Sequence, residues 1–119
     1  MGRPRFRVVE PHTASFGYSM RARVGDVVAV GREDPDMPGW FWCRDGAGVE
    51  AWVPRTHLRI EGGGGVFTDD YNSAELSVAA GDVVQCLGES LGWVECLDGE
   101  WRYGWVPRGK LEAVPGDVH

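Results

Sequence analysis

The residues best suited to chemistry in this chain are tryptophans and prolines set at a fixed interval. Gly39-Trp40 is followed by Trp52-Val53-Pro54, and Gly92-Trp93 by Trp105-Val106-Pro107; Trp40 to Pro54 and Trp93 to Pro107 both span fourteen positions. Indole faces beside a proline ring suit contact with another chain, because exposed apolar clusters usually mark interaction sites. The chemistry this suggests is recognition. Nothing points to catalysis: there is no Gly-x-Ser-x-Gly, no metal-ligand spacing and no Cys-His pair that the pattern places in a cleft. No enzyme, no cofactor and no metal site is expected. Cys43, Cys86 and Cys96 lack CxxC spacing, and Cys43 and Cys96 stand at one repeat position, so small buried thiols in a reducing cytoplasm are expected.

The elements that must hold these residues are short. Apolar runs of three to six residues alternate with turn signals, and no helical period persists for ten residues. Strands are expected near Phe6–Val9, Val27–Val30, Trp40–Arg44 and Glu50–Val53, and again near Val66–Thr68, Val83–Leu87, Trp93–Leu97 and Tyr103–Val106. Asp45-Gly46 and Asp98-Gly99 mark tight hairpins at one equivalent point. After each Trp-Val-Pro a single turn, Arg55–His57 or Arg108–Lys110, leads to a last short strand, Leu58–Ile60 or Leu111–Val114. Gly25-Asp26 and Gly81-Asp82 open matching runs. The chain therefore reads as a duplicated β-unit, all-β, with two small five-stranded barrels in tandem. The expected division is a basic tail at residues 1–5, a first domain at 6–61, a glycine linker at 62–65, a second domain at 66–114 and a tail at 115–119.

On the Gly-Asp, the Gly-Trp, the Trp-Val-Pro and the strand before the long first loop, each half resembles a Src-homology-3 (SH3) domain. The pair resembles bacterial proteins carrying two variant SH3 domains in tandem. The resemblance implies a shallow aromatic groove that receives an extended protein or peptide segment. Carried over by position, the first groove comprises Glu10, His12, Trp40, Trp52, Pro54 and His57. The second comprises Asp69, Tyr71, Trp93, Trp105, Pro107 and Lys110. The tryptophan and proline platform is present in both. The first motif tyrosine is replaced by an acid, Glu10 or Asp69, and the tyrosine after the proline by a base, His57 or Lys110. A facing acid and base would then fill one proline pocket with a polar pair.

The first long loop, whose acids select a basic ligand residue in the family, has no acid across Thr13–Ser19, and in the second half only Glu75. These departures count against an ordinary proline-rich ligand. Glu33, Asp34 and Asp36, just before Trp40, are expected to replace those acids as a specificity loop. His12 and His57 would lie close together in the first groove. Trp101 has no partner in the first half, where Gly48 stands at its place.

Residues 1–61 carry nine arginines against eight acids, and residues 62–119 three bases against ten acids, within a total of −6. A chain of this balance is not expected to bind nucleic acid, and its second half is suited to a basic partner. No segment reads as a signal peptide or membrane span, so no membrane partner is expected and the expected location is cytoplasmic. Two functions follow. The first is a non-enzymatic adaptor that binds a protein or peptide segment, with basic residues on that segment. The alternative is a structural or assembly protein whose grooves are occluded by domain–domain or homodimer packing.

Overall fold

The computed structural model describes residues 2–115. The expected tail at 115–119 therefore lies, but for Pro115, outside the described residues. The protein is all-β, with twelve strands among the described residues: β1 (Arg5–Val8), β2 (Arg21–Ala22), β3 (Val27–Glu33), β4 (Trp40–Arg44), β5 (Glu50–Pro54), β6 (Leu58–Glu61), β7 (Gly64–Phe67), β8 (Tyr71–Asn72), β9 (Val83–Ser90), β10 (Trp93–Leu97), β11 (Tyr103–Pro107) and β12 (Leu111–Ala113). Single 3₁₀ turns, Arg55–His57 and Arg108–Lys110, precede β6 and β12. Every strand expected from the apolar runs is present within three residues at each end. The two-residue strands β2 and β8 carry no such run and were not expected.

Two antiparallel five-stranded sheets result, ordered β11-β10-β9-β1-β12 and β5-β4-β3-β7-β6. By the sequence repeat, β9 to β12 match β3 to β6 and β7 matches β1. The two orders are thus the same, with the first strand of each repeat placed in the other repeat's sheet. β1 pairs with β9 and β12, placing Phe6 opposite Val84 and Ala113. β7 pairs with β3 and β6.

The Gly-Asp pairs show what holds the exchanged strands. Gly81 N–H donates to the Val8 carbonyl at 2.8 Å, and Val8 N–H to the Asp82 carbonyl at 2.8 Å. In the other sheet Gly25 N–H donates to the Phe67 carbonyl at 2.8 Å, and Phe67 N–H to the Asp26 carbonyl at 2.9 Å. Each Gly-Asp turn grips the first strand of the other repeat.

The chain accordingly divides into unit 1, residues 1–17 with 74–119, and unit 2, residues 18–73. This departs from the sequential halves expected at 6–61 and 66–114. Gly62–Gly65 is not a linker: Glu61 pairs with Gly64 across a two-residue Gly62-Gly63 turn, with Gly62 at φ 60°, and Gly64 and Gly65 belong to β7. A two-residue turn can only deliver the chain to the neighbouring strand, so β7 fills the slot beside β6. The tail expected at residues 1–5 also shortens. Arg5 lies in β1, and the Pro4 carbonyl accepts from Cys86 N–H at 2.8 Å.

The exchange redistributes charge. Each unit now carries six bases against nine acids, so the +1 and −7 of the sequential halves become −3 apiece.

Unit 1 has a core of Phe6, Val8, Leu76, Val78, Val84, Val94, Cys96, Val106 and Leu111, with Cys86 packed against it. In unit 2 Val28, Cys43, Ala51, Val53, Leu58 and Phe67 are buried. Short ladders complete each unit: β2 with β8 in unit 2, and a bridge between His12 and Val78 in unit 1. Among the described residues no ladder joins the two outer strands of either sheet, so neither is a closed barrel.

Both hairpins turn at the expected Asp-Gly pairs, each through a three-residue loop. Asp45 N–H donates to the Val49 carbonyl at 2.9 Å, and its Oδ1 accepts from the N–H groups of Ala47 and Val49. Asp98 repeats this with Arg102 and Glu100. The aspartate organises the loop, and the left-handed position falls two residues after the glycine, on Gly48 and on Trp101.

Candidate functional site

Alternation along β4 and β5 puts Trp40, Trp42, Trp52 and Pro54 on one face of the unit 2 sheet, with Trp40 opposite Pro54 and Trp42 opposite Trp52. The same logic in unit 1 sets Trp93 opposite Pro107, Glu95 opposite Trp105 and Leu97 opposite Tyr103. The 3₁₀ turn after each proline is fixed from this face, because Arg55 N–H donates to the Gly39 carbonyl and Arg108 N–H to the Gly92 carbonyl, both at 2.8 Å.

The strand exchange regroups the two expected grooves. Trp40, Trp52, Pro54 and His57 share unit 2 with Asp69 and Tyr71; Trp93, Trp105, Pro107 and Lys110 share unit 1 with Glu10 and His12. Contacts within each unit follow this pairing. The His57 and Tyr71 rings meet edge-on at 5.3 Å, and Thr68 N–H donates to the His57 carbonyl at 2.8 Å. The Tyr71 hydroxyl donates to the Trp52 carbonyl at 2.7 Å. In unit 1 His12 meets the edge of Trp93 at 5.6 Å, and Val9 N–H donates to the Lys110 carbonyl at 2.8 Å. His12 and His57, expected side by side in one groove, belong to different units.

The platform is not open as expected. Trp40 is 5% exposed and Pro54 is fully buried; Trp105 is 2% exposed. Trp52, Trp93, Pro107, His57 and Lys110 are half-buried, while Glu10 and Asp69 are exposed. Tyr71 is 6% and His12 9% exposed. The polar filling also differs from the facing acid and base that the resemblance implied. Lys110 Nζ lies 3.2 Å from the Pro11 carbonyl and 3.3 Å from His12 Nδ1. His12 Nε2 lies 2.8 Å from Glu75 Oε1, which also accepts from the Ser15 N–H and hydroxyl. Glu75, the lone loop acid, is thereby spent on its own unit.

Two of the three specificity-loop acids are likewise used in folding. Glu33 Oε2 accepts from Gly39 N–H at 2.8 Å, and Asp34 Oδ1 from the N–H groups of Asp36 and Met37. These bonds shape the β3–β4 loop. Asp36 is exposed.

Several residues of this face escaped sequence reasoning. Arg32 holds its guanidinium 5.7 Å from the Trp42 ring and 5.3 Å from the Trp52 ring, and the two indoles meet edge-on at 5.0 Å. Trp42 Nε1–H donates to Glu50 Oε2 at 3.2 Å. The period of two from Trp40 was enough to find Trp42. Arg32 was hidden by an irregularity in the β3–β4 register between Val30 and Glu33. In unit 1 the Tyr103 hydroxyl donates to Glu95, and burial followed by that carboxylate raises the Tyr103 pKa above the usual phenol range.

The three cysteines are free, and no group of His, Cys, Asp and Glu among the described residues could hold a metal ion. Burial pushes the Cys43 thiol up to about 11 and the Cys96 thiol up to about 12, and raises Cys86 as well. Such thiols are poor nucleophiles. Among the described residues no helix is long and apolar enough to cross a membrane. No protein-family model, curated protein or solved structure matches the chain.

Proposed function

We propose that each unit is an SH3-like barrel completed by the first strand of the other repeat, and that the chain is a non-enzymatic structural or assembly protein. Trp40, Pro54 and Trp105 would serve its own packing. One observation carries this reading: Trp40, Pro54 and Trp105, the platform residues meant to face a ligand, are almost wholly buried. The shared strand order and the 3₁₀ turn before each last strand support the barrel assignment.

Urea unfolding of Trp40→Ala and Trp105→Ala tests the functional part. Truncating a buried tryptophan costs about 3–5 kcal/mol, whereas an open ligand platform tolerates it with little loss. Changes below about 0.5 kcal/mol in both variants would contradict the structural reading.

An adaptor role through unit 1 is the second reading, favoured by the half-buried Trp93 and Pro107 facing each other across β10 and β11. Capture from native lysate that disappears in Trp93→Ala, with the fold intact, would establish it. Unchanged capture would remove it.

A further inference from the structure

The face of β4 and β5 that carries the buried Trp40 and Pro54 also carries a feature that neither reading uses. Trp42 and Trp52 stand opposite each other across the ladder, edge-on at 5.0 Å, and remain half-buried although Arg32 lies over them. Glu50 fixes one indole through Trp42 Nε1. The guanidinium of Arg32 meets both rings, and among the described residues it meets no carboxylate. A cation held by two ring faces alone is held weakly, because exposed cation–π contacts are among the smaller stabilising terms. Arg32 is itself exposed.

We propose that the Trp42–Trp52 pair is a receptor for an arginine of a partner protein segment, and that Arg32 is its built-in occupant, displaced when the partner docks. The occupant shows the chemistry: a planar guanidinium already fits this face. The setting is complementary to a basic segment. Glu50 and Asp36 are exposed nearby in sequence on β5 and on the loop after Arg32, and unit 2 carries nine acids against six bases. The equivalent face of unit 1 lacks the arrangement. Counted from the Gly-Asp pair, Gly88 stands in place of Arg32; counted from the Gly-Trp pair, Glu95 stands in place of Trp42. The receptor therefore belongs to unit 2 alone. The inference stands independently of the structural reading above, since it uses neither Trp40 nor Trp105.

The test is an NMR titration of the indole N–H signals of the full chain with the acetylated and amidated pentapeptide Gly-Arg-Gly-Arg-Gly. The same peptide with glutamate for arginine serves as control. Arg32→Ala is expected to bind the arginine peptide about tenfold more tightly than the wild type, the scale of losing two competing cation–π contacts. The Trp42 and Trp52 signals should move most. Adding Trp42→Phe to Arg32→Ala keeps an aromatic ring, and so the fold, and should weaken binding again. Equal affinity of wild type and Arg32→Ala overturns the proposal. So does equal binding of the glutamate peptide, shifts centred on other tryptophans, or no binding to either protein.

Discussion

Trp101 sits in the left-handed region at φ 64° and is 71% exposed, on a loop whose counterpart has Gly48 at φ 85°. A side chain in that conformation costs about 1 kcal/mol or more, and a solvent-facing indole returns little of it through burial. Trp101→Gly is therefore expected to raise stability by about 0.5–1 kcal/mol, read as a higher urea midpoint at unchanged slope. A lower midpoint would show that the ring contributes more to the fold than its exposure suggests. The Asp98 loop should persist in that variant, because its backbone bonds do not involve the indole.

The thiols give a second prediction at this scale. Cys43 and Cys96 are raised to about 11 and 12, while an unfolded thiol titrates near 8.5. Between those values the unfolded chain has lost protons that the folded protein keeps. Stability is therefore fully present below about pH 8.5 and falls as pH rises through 9 to 11, by up to about 1.4 kcal/mol per unit for each thiol. Urea unfolding at pH 7, 9 and 10 checks the sign. The slope between 9 and 10 should shrink in Cys43→Ala and Cys96→Ala relative to wild type, and an unchanged slope would contradict the assignment.

At the scale of elements, unit 2 is a continuous segment, residues 18–73, whose two ends are tied together. Ser73 N–H donates to the Met20 carbonyl, and Met20 N–H to Ser73 Oγ. It holds all five strands of its sheet. A fragment of residues 18–73 is expected to unfold cooperatively, whereas 74–119 lacks β1 and should gain structure only when a peptide of residues 1–17 is added. Circular dichroism melting distinguishes these outcomes, and an unfolded 18–73 fragment would contradict them.

Most of the elements were legible in the sequence because each rests on a local signal: a short apolar run, an Asp-organised turn, a proline before a single 3₁₀ turn. Pairing was not legible, because β1 and β7 are equivalent strands of the repeat and no local signal in either says which of the two matching sheets it joins. The deciding residues were Gly62 and Gly63. Read as flexible spacer, they allowed sequential domains; read as a two-residue turn between Ile60-Glu61 and Gly64-Gly65, they commit β7 to β6. The groove partners followed the strands, so His12 went to Trp93 and Tyr71 to Trp52. Burial of Trp40 and Trp105 was beyond local reasoning, since a sheet face carries no mark of what covers it.

For the whole molecule, the exchange makes a duplicated sequence into two units that are each built from both repeats. Unit 1 depends on the start of the chain, and unit 2 is inserted between Gly17 and Ala74. Damage to one repeat must then appear in the sheet of the other. Phe6, 7% exposed and paired with Val84 and Ala113, is the place to see this. Phe6→Ala removes about 3–5 kcal/mol of core packing. Hydrogen exchange of this variant, followed amide by amide, tests the exchange directly. Protection is expected to fall across β9 to β12, residues 83–113, and to persist across β3 to β7, residues 27–67. Loss of protection in 27–61 with 83–113 intact would mean that β1 pairs within its own repeat, and the strand exchange would be wrong.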